Sequence, residues 1–536
     1  MRPLPSLTAL LSALLLPLAP ALPASARTVP ITVLHTTDIH GSLRRPPEHE
    51  AARYPNAGLD RLATLIRQAA DENPNHLLLD GGDYAQGTLD STLSGGHRVA
   101  EIFNTLSYDA IAVGNHEFDW GVPALASLLE VPTMPVLAAN LRVDEAAPAS
   151  LRAIRPWIVR DLDGVRVGVV GLTTPNLPRW FAGLAAQGIA VEDTRSALER
   201  VLPEIKRENP DVLILLAHQG LIAKDDDANE INLVGRLFPE FDLVLGGHLH
   251  WALPGAHVGK IDYAQSGACA SGVMKIDLHY DTVARRVVSK SFDFLQPGPD
   301  TPPDGAVRAL IEPDVERADA LLSDVLATLR RPAGVTYTPP ALSPVQQIFA
   351  RAVLDASGAA AVFHGVFSTE RLQAGPVTLR DLWRIAPYEN TVAVLALNRQ
   401  DILDLVEETL AYLGTERYVP LSGFSYDLYP NAEPGTRVRN LRLPDGSPLH
   451  GTKRYPVAVS SYMLAGGGGR FPTFARLAAR PESRIRWLPG NIRDIVERWL
   501  RAQPSPLDVP SGAGVRVFRR ERDLWERIEK FENSLD

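Results

Sequence analysis

Five short apolar segments of this chain end in residues that can bind metal ions, and this arrangement constrains the fold more than any other feature. The segments are residues 31–34, 77–79, 110–113, 212–217 and 243–245. Each is short and apolar enough to be a buried β-strand. In a mainly parallel α/β sheet, ligands bind at the carboxyl ends of the strands. The segments therefore predict side chains from separate strand ends that meet around one point.

The polar residues that follow these segments form a predicted metal site. In chain order they are Asp38, His40, Asp83, Asn115, His218, His248 and His250. Imidazole and carboxylate ligands together suit Zn, Mn, Fe or Co, rather than a thiolate site or an all-oxygen calcium site. Seven ligands are too many for one tetrahedral ion, but they fit two ions that share one carboxylate. We expect Asp83 to be shared, because a carboxylate can bind two cations whereas an imidazole nitrogen binds one.

These motifs occur in an order that resembles the metallophosphoesterase superfamily. They are D-x-H at 38–40, G-D at 82–83, G-N-H-E at 114–117, a later histidine at 218 and G-H-x-H at 247–250. The longer form G-N-H-E-F-D-W-G is similar to the 5′-nucleotidase branch, exported enzymes with a second, nucleotide-binding domain. The resemblance implies an exported hydrolase of nucleotide phosphate esters, with two divalent ions of Mn, Zn, Co, Fe or Mg.

The resemblance also implies a role for each site residue. One ion would take Asp38, His40 and His250, the other would take Asn115, His218 and His248, and Asp83 would bridge them. A hydroxide that bridges the ions would attack phosphorus in line. His116, oriented by Asp119, would stabilise the transition state or protonate the leaving oxygen.

The second domain of this branch selects the nucleotide. Two aromatic residues hold the base there, and the positions that match are Tyr418, before a Gly-containing strand, and Phe471, after the Gly-rich turn 466–469. The arginine that helps to hold substrate in the branch is replaced by Thr369. Arg371 or Arg470 could substitute for it.

Three alternative functions remain open on the sequence. Residues 386–391, and the whole stretch from residue 364, resemble equally the 2′,3′-cyclic-nucleotide 2′-phosphodiesterase/3′-nucleotidase branch. Related metal sites in exported proteins hydrolyse sulfur esters, and the aromatic pair argues against this activity. A nucleotide-binding protein without catalysis is the third alternative, and the intact ligand set with His116 and Asp119 argues against it.

The predicted fold class is layered α/β. We expect a signal peptide at 1–26, a metallophosphoesterase β-sandwich flanked by helices at 27–295, and a linker with a connecting helix at 296–335. The helix is predicted to reach about residue 331, with Pro313 in its first turn. A mixed α/β nucleotide-binding domain should occupy 336–514, with helices at 345–356 and 399–413 and strands at 392–397 and 455–459. An amphipathic helix is predicted at 515–536.

Charge and hydropathy limit the partners and the location. The first residues combine Arg2, a short apolar region at 7–18 and an Ala-Ser-Ala cleavage pattern at 24–26, which predict export to a periplasmic or secreted location. No later apolar segment is long enough to predict a membrane span. The formal net charge of -9 argues against a nucleic acid polymer as partner, so we expect a small nucleotide substrate. The sequence makes no prediction of the oligomeric state.

Overall fold

A computed structural model of the chain describes residues 27–509, apart from 182, 338 and 340–342, and residues 514–518. The predicted signal peptide and residues 519–536 of the predicted C-terminal helix lie outside the described residues. The described start of that helix is wrong, because Val515–Val517 is a strand that pairs in parallel with Ser425–Leu428. Every helix within the described residues is too short or too polar to cross a lipid bilayer.

The first half of the chain alternates strands and helices. The strands are β1 (Thr28–Thr36), β2 (His76–Asp80), β3 (Ala110–Ala112), β4 (Val136–Leu137), β5 (Leu141–Val143), β6 (Trp157–Leu162), β7 (Val165–Leu172), β8 (Ile189–Val191), β9 (Val212–Ala217), β10 (Leu243–Gly246), β11 (Ala252–Val258), β12 (Ile261–Ser266), β13 (Val273–Asp281) and β14 (Arg286–Leu295). The helices are α1 (Leu59–Glu72), α2 (Leu89–Thr92), α3 (His97–Leu106), α4 (Val122–Leu128), α5 (Leu177–Trp180), α6 (Thr194–Lys206) and α7 (Ile231–Leu237). Short 3-10 helices are found at His116–Phe118, Leu151–Ala153 and Ala185–Gln187.

Most of these strands form two six-stranded sheets of mixed direction. Their strand orders are β14-β13-β1-β2-β3-β4 and β11-β12-β10-β9-β7-β6, while β5 and β8 form a separate pair. The neighbours β1, β2, β3 and β4 run parallel, as do β12, β10, β9 and β7. The antiparallel strands flank these parallel cores. All five strands that precede predicted metal ligands therefore belong to a parallel core.

The two sheets pack face to face, and helices cover their outer faces. Ile214, Leu245 and Ile276 belong to the apolar cluster between the sheets, which draws residues from both. A second cluster joins one sheet to α1 and α3, and a third joins the other sheet to α6 and α7. Alternate residues of a strand point to opposite faces, which explains why nearly continuous apolar strands are buried on both sides. The predicted sandwich flanked by helices is confirmed.

The connecting helix is shorter than predicted. Helix α8 spans Gly305–Leu322, begins at an Asp304 N-cap and contains Pro313 in its interior. Residues 325–329 form a strand, β15 (Val325–Leu329), which pairs with the distant strand β17 (Gly375–Thr378), so the predicted end near residue 331 is wrong. The helix buries Val307 and Ile311 against the first domain, and Leu322 packs in the second.

The second domain is mixed α/β, as predicted. Its further strands are β16 (Ala361–Phe363), β18 (Thr391–Leu397), β19 (Leu421–Ser422), β20 (Ser425–Leu428), β21 (Val438–Arg442), β22 (Tyr455–Ser460), β23 (Arg486–Asn491) and β24 (Val515–Val517). Its helices are α9 (Pro344–Ser357), α10 (Leu379–Ile385), α11 (Arg399–Thr409), α12 (Ser461–Leu464), α13 (Pro472–Ala478) and α14 (Ile492–Arg501), with 3-10 helices at Leu410–Tyr412 and Pro481–Ser483. The main sheet has the order β19-β16-β22-β18-β23. Separate apolar clusters cover its two faces. The predicted domain boundaries stay predictions.

Charged side chains join the two domains and the connecting helix. Asp319 of α8 accepts hydrogen bonds from Arg45 of the first domain, at 2.6 Å, and from Arg380 of α10, at 3.0 Å. Arg45 also donates to Asp90, and Arg380 donates to Glu48. Two arginines and three carboxylates thus form one ionic network across the domain boundary, and we name these five residues the boundary network.

The packing between the sheets predicts the effect of a truncation there. Ile214 is fully buried, so Ile214→Ala should lower the free energy of unfolding by about 2–5 kcal/mol through lost burial and a cavity. Val288→Ala, on the exposed edge strand β14, is the control and should change it by about 0.5 kcal/mol or less. Urea unfolding followed by tryptophan fluorescence measures both. Equal losses in the two variants would contradict this description of the core.

Candidate metal centre

The predicted metal ligands lie directly after the parallel strands. The residues that follow β1, β2, β3, β9 and β10 are, in that order, Asp38 and His40, Asp83, Asn115, His218, and His248 and His250. Five of them have a φ between 49° and 71°: Asp38, His40, Asp83, His248 and His250. This left-handed conformation is uncommon for residues other than glycine and typically costs about 1–3 kcal/mol. It turns the chain sharply after β1, β2 and β10, and such local strain is typical of functional sites.

The structure brings the predicted aspartate and histidine ligands together in two groups. The first contains Asp38, His40 and His250, and the second contains Asp83, His218 and His248; within each group the ligand atoms lie within 4.8 Å of one another. In the first, Nε2 of His40 and Nε2 of His250 are 3.0 Å apart. In the second, Nε2 of His218 lies 2.9 Å from Oδ2 of Asp83.

Two further contacts connect these groups and complete the predicted set. Asp83 and His40 also share a group with His116, so the Asp83 carboxylate lies within reach of donors from both sides. Oδ1 of Asn115 lies 3.2 Å from Nε2 of His218, which puts the neutral amide in the second group. All seven predicted ligands therefore surround one small region, with Asp83 between the two halves.

The second nitrogens of two imidazoles indicate that the site fits metal ions. Nδ1 of His40 lies 3.0 Å from the carbonyl oxygen of Gln86, and Nδ1 of His218 lies 2.8 Å from that of Gly81. A carbonyl can only accept, so each Nδ1 carries a proton and each Nε2 is directed into the site, where it offers a lone pair to a metal ion once it is free of a proton. Histidines that bind metal ions are commonly held by such outer hydrogen bonds.

Burial sets the protonation of three imidazoles of the site, those of His40 and His250 in the first group and that of His248 in the second. It lowers the pKa of His248 and of His250 to about 3, and it lowers the pKa of His40 well below its usual value. These rings are neutral at physiological pH, which is the state that binds a metal ion.

The carboxylates carry the negative charge of the site. Burial raises the pKa of Asp38 to about 7. Burial alone would also raise the pKa of Asp83, but the charges of His218 and His116 lower it well below the usual range. Burial opposes protonation of His218, but the Asp83 charge and hydrogen bond raise its pKa to about 9. A proton on His218 thus balances the buried Asp83 charge, and a bound cation could take its place.

His116 and Asp119 form a hydrogen-bonded pair beside the ligands. Nδ1 of His116 lies 2.7 Å from Oδ2 of Asp119, while Nε2 lies 4.0 Å from Oδ2 of Asp83 and therefore faces the site. Burial would lower the pKa of His116, but the charges of Asp119 and Asp83 raise it to about 10. The ring can carry a proton and present an N–H toward a ligand of the metal site.

Glu117 organises the site, although its position in the G-N-H-E motif did not reveal a role. Its two buried carboxylate oxygens accept hydrogen bonds from four backbone N–H groups, those of Asp83, Tyr84, Ala85 and Gly114, at 2.8–3.3 Å. Burial and the Asp83 charge raise its pKa to about 7. The backbone segments that carry Asp83 and Asn115 are thereby tied to one side chain.

An aromatic wall flanks the second half of the site. The ring of Trp180, at the end of α5, lies 5.6 Å from the ring of His248 at an angle of 34°. Sequence reasoning missed this residue, because α5 is a single turn within a long connection and nothing in its local pattern indicates contact with β10.

The predicted aromatic clamp in the second domain is corrected by the structure. Tyr418 and Phe471 are only 2% and 1% exposed and pack in the apolar cluster on one face of the main sheet. Neither ring has a free face for a base. Other aromatic residues of this domain are exposed, among them Tyr388 at 43% and Tyr462 at 39%.

A cavity of about 490 Å³ lies beside these exposed rings. Its lining includes Phe367, Thr369, Arg417, Tyr462 and Arg470. The ring of Tyr388 meets that of Phe367 edge-on, with centroids 6.0 Å apart.

Thr369 and one of the two candidate arginines, Arg470, line the same cavity. Nη2 of Arg470 donates to the hydroxyl of Tyr462 at 2.9 Å, which holds the guanidinium at the wall. Of the two arginines considered as substitutes, Arg470 lines the cavity and Arg371 is not among the described lining residues.

Comparison with protein families matches both halves of the chain. Residues 31–252 match the calcineurin-like phosphoesterases, and residues 332–476 match the 5′-nucleotidase C-terminal domain. The chain joins a calcineurin-like phosphoesterase domain to a 5′-nucleotidase C-terminal domain. This confirms the predicted combination of domains and the fold class, and it supports the predicted class of enzyme, a metal-dependent phosphoester hydrolase. A phosphoesterase domain of this kind implies divalent metal ions.

Individual relatives agree with this assignment. The chain is 35% identical over 241 residues to the 5′-nucleotidase of Rattus norvegicus, which covers 44% of this chain and 39% of the relative. It is 29% identical over 269 residues to the 2′,3′-cyclic-nucleotide 2′-phosphodiesterase/3′-nucleotidase of Salmonella typhimurium, and this match covers 47% of this chain and 41% of the relative. The chain thus spans about two fifths of the length of these curated relatives. The crystal structure of a protein named putative 5′-nucleotidase, from Staphylococcus aureus, shares the fold with a TM-score of 0.77 and 21% sequence identity. The match covers 91% of this chain and 100% of that chain.

The Glu117 contacts in the phosphoesterase domain predict the effect of Glu117→Gln. An amide has one acceptor oxygen, so its NH₂ group would face backbone N–H donors that the carboxylate now satisfies. Loss of such an outer partner typically lowers metal affinity about 10–100-fold, and we expect a loss in this range. Titration of the metal-free protein with Mn or Zn measures it. The exposed Glu130→Gln is the matched control, and equal affinities in the two variants would contradict this role.

Proposed function

We propose that this chain is an exported phosphoesterase that hydrolyses nucleotide phosphate esters, as a 5′-nucleotidase does, with two divalent metal ions. The observation that carries the proposal is the location of Asp83. Its carboxylate lies in one ligand group with His218 and His248 and in another with His40 and His116. A carboxylate between two sets of imidazoles fits a pair of ions that share it.

The allocation of ligands follows the two groups. We infer that Asp38, His40 and His250 hold one ion, and that Asn115, His218 and His248 hold the other. Metal ions at these positions would supply Lewis acidity toward the phosphoryl oxygens and activate water for attack on phosphorus. Mn, Zn, Co, Fe and Mg are the candidates, in line with a ligand set of nitrogen and oxygen without thiolate.

His116 would contribute from the protein side. Its Nδ1 is engaged with Asp119, so Nε2–H is the free donor, and it faces Asp83 at the centre of the ligands. A donor there can stabilise negative charge on a phosphoryl oxygen or pass a proton to the leaving oxygen. Asp119 would act through the imidazole, by fixing its orientation and favouring its charged form.

The second domain would recognise the nucleoside. Tyr388 and Tyr462 would offer ring faces to a base, in place of the buried Tyr418 and Phe471. Arg470 and Arg417 would supply positive charge at the cavity, the role of the arginine that Thr369 replaces. Sulfur esters would not use such aromatic groups, and this argues for a nucleotide.

The 2′,3′-cyclic-nucleotide 2′-phosphodiesterase/3′-nucleotidase activity is the second candidate. The relative from Salmonella typhimurium carries that name and matches a similar share of the chain as the 5′-nucleotidase from rat. The two candidates use the same metal centre and differ in the ester that the second domain presents to it. Export is supported by the composition of residues 1–26.

A substrate panel tests the proposal. The purified protein with Mn or Zn should release phosphate from AMP faster than it releases phosphate from 3′-AMP, and faster than it hydrolyses the cyclic ester of 2′,3′-cyclic AMP. The reverse order of rates would favour the second candidate. His116→Gln retains the proposed ligands and should lower kcat about 10²–10³-fold with metal content unchanged. Nucleotide binding without hydrolysis of any of these esters would refute the proposed enzymatic function.

The exposed rings predict which residues set nucleotide affinity. Tyr388→Ala and Tyr462→Ala should each raise the KM for AMP roughly 5- to 150-fold, because one stacked base contributes about 1–3 kcal/mol. The KM for ribose 5-phosphate, which lacks a base, should stay the same. Tyr418→Phe keeps the buried ring and serves as the control. Unchanged KM values for AMP in both alanine variants would contradict the stacking role of the exposed rings.

A further inference from the structure

Arg493 is a buried guanidinium in the second domain to which neither the motifs nor the proposed chemistry assigns a role. It lies in the first turn of α14 and is 4% exposed. Its Nη1 donates to the carbonyl oxygen of Ala386 at 2.9 Å and to that of Pro387 at 3.3 Å. Its Nη2 donates to the carboxylate of Glu389, and its Cζ lies 3.4 Å from the ring centroid of Trp383.

All the polar partners of this guanidinium lie in one short loop. The loop connects α10 to β18 and has no regular backbone hydrogen bonding of its own between residues 386 and 390. Ala386 and Pro387 precede Tyr388, and Glu389 follows it. Glu389 also accepts a hydrogen bond from the side chain of Asn491, the N-cap of α14. One buried cation therefore holds the loop on both sides of Tyr388.

Stability alone does not account for this arrangement. Moving a guanidinium and a carboxylate out of water costs several kcal/mol per ion, and replacement of a buried ion pair by apolar residues is often neutral or stabilising. What such a pair supplies is geometry, because the planar guanidinium has donors in fixed directions. Here the donors point to the carbonyl oxygens of Ala386 and Pro387 and to the carboxylate of Glu389.

The residue held between these anchors is the exposed aromatic one. Tyr388 projects from the loop with 43% of its surface exposed. Its ring is edge-on to Phe367, which lines the cavity of the second domain, and it lies 5.8 Å from the ring of His49 in the first domain. Tyr388 thus stands at the edge of the cavity, where the two domains meet.

We propose that Arg493 is a positioning residue for nucleotide recognition, which acts by fixing Tyr388 at the edge of the cavity. The inference rests on the proposed function, because a base must be present for the position of Tyr388 to matter. Arg493 does not touch the substrate. It lowers the KM for base-bearing substrates by holding the loop 386–390 in the conformation that offers the tyrosine ring.

The test is Arg493→Lys in the full chain, loaded with Mn. An ammonium keeps the charge but cannot reach two carbonyls and a carboxylate at once. We expect the KM for AMP to rise at least about fivefold with kcat within about twofold, since the lost stacking is a binding effect. The KM for ribose 5-phosphate should be unchanged. Arg498→Lys, an exposed arginine on the same helix, is the matched control and should leave both KM values unchanged.

A double-variant cycle separates positioning from a purely structural role. Adding Arg493→Lys to Tyr388→Ala should cause no further rise in the KM for AMP, because the residue through which Arg493 acts is already removed. Additive effects, or equal KM increases for AMP and ribose 5-phosphate, would overturn the inference. If Arg493→Lys does not fold, Glu389→Gln weakens only one of the contacts of Arg493. It should raise the KM for AMP by a smaller factor and leave the KM for ribose 5-phosphate unchanged.

The same data separate this inference from the proposed function. A wild-type protein that hydrolyses AMP no better than ribose 5-phosphate overturns both. A wild-type protein that prefers AMP, together with an Arg493→Lys variant that keeps this preference in full, overturns only the role of Arg493.

Discussion

Two buried carboxylates that are paired with imidazoles dominate the electrostatics of this protein. Asp38 and Asp83 are almost fully buried, and each lies beside a histidine, Asp38 beside the neutral ring of His250 and Asp83 beside the protonated ring of His218. A buried carboxylate is costly unless hydrogen bonds or cations compensate it. Backbone N–H groups supply part of this compensation, from His248 to Asp38 and from His116 to Asp83. The rest of the site, including its neutral imidazoles and the Asn115 amide, is consistent with cations that complete it.

The fold provides this charge arrangement through the ends of its strands. Two parallel cores in stacked sheets bring five strand ends to one edge, and left-handed turns direct the side chains inward. Glu117 holds two of these ends together through backbone hydrogen bonds. The local backbone cost is offset by packing elsewhere, since the strands themselves lie in the core between the sheets.

The sequence predicted that the candidate ligands would meet, because these residues are tied to local patterns. An apolar run followed by Asp38 or His218 reveals both the strand and the side chain at its end, and the parallel arrangement does the rest. The predicted end of the connecting helix was too far along the chain, for the opposite reason. Val325–Leu329 carries a local pattern compatible with a helix, and only its pairing with Gly375–Thr378, far along the chain, makes it a strand. The prediction of Tyr418 and Phe471 as the residues that hold the base disagrees with their burial. It has a similar cause, because local sequence does not distinguish a core tyrosine such as Tyr418 from an exposed one such as Tyr388.

The boundary network has a consequence for the environment in which the protein works. Four of its five side chains are partly exposed, from 15% for Glu48 to 43% for Asp319, whereas Asp90 is buried. Ion pairs with this exposure are weak and are screened by dissolved salt, whereas Asp38 and Asp83 are shielded from it. The spacing between the two halves of the molecule is therefore open to the surrounding electrolyte, while the chemistry of the ligand cluster is insulated from it.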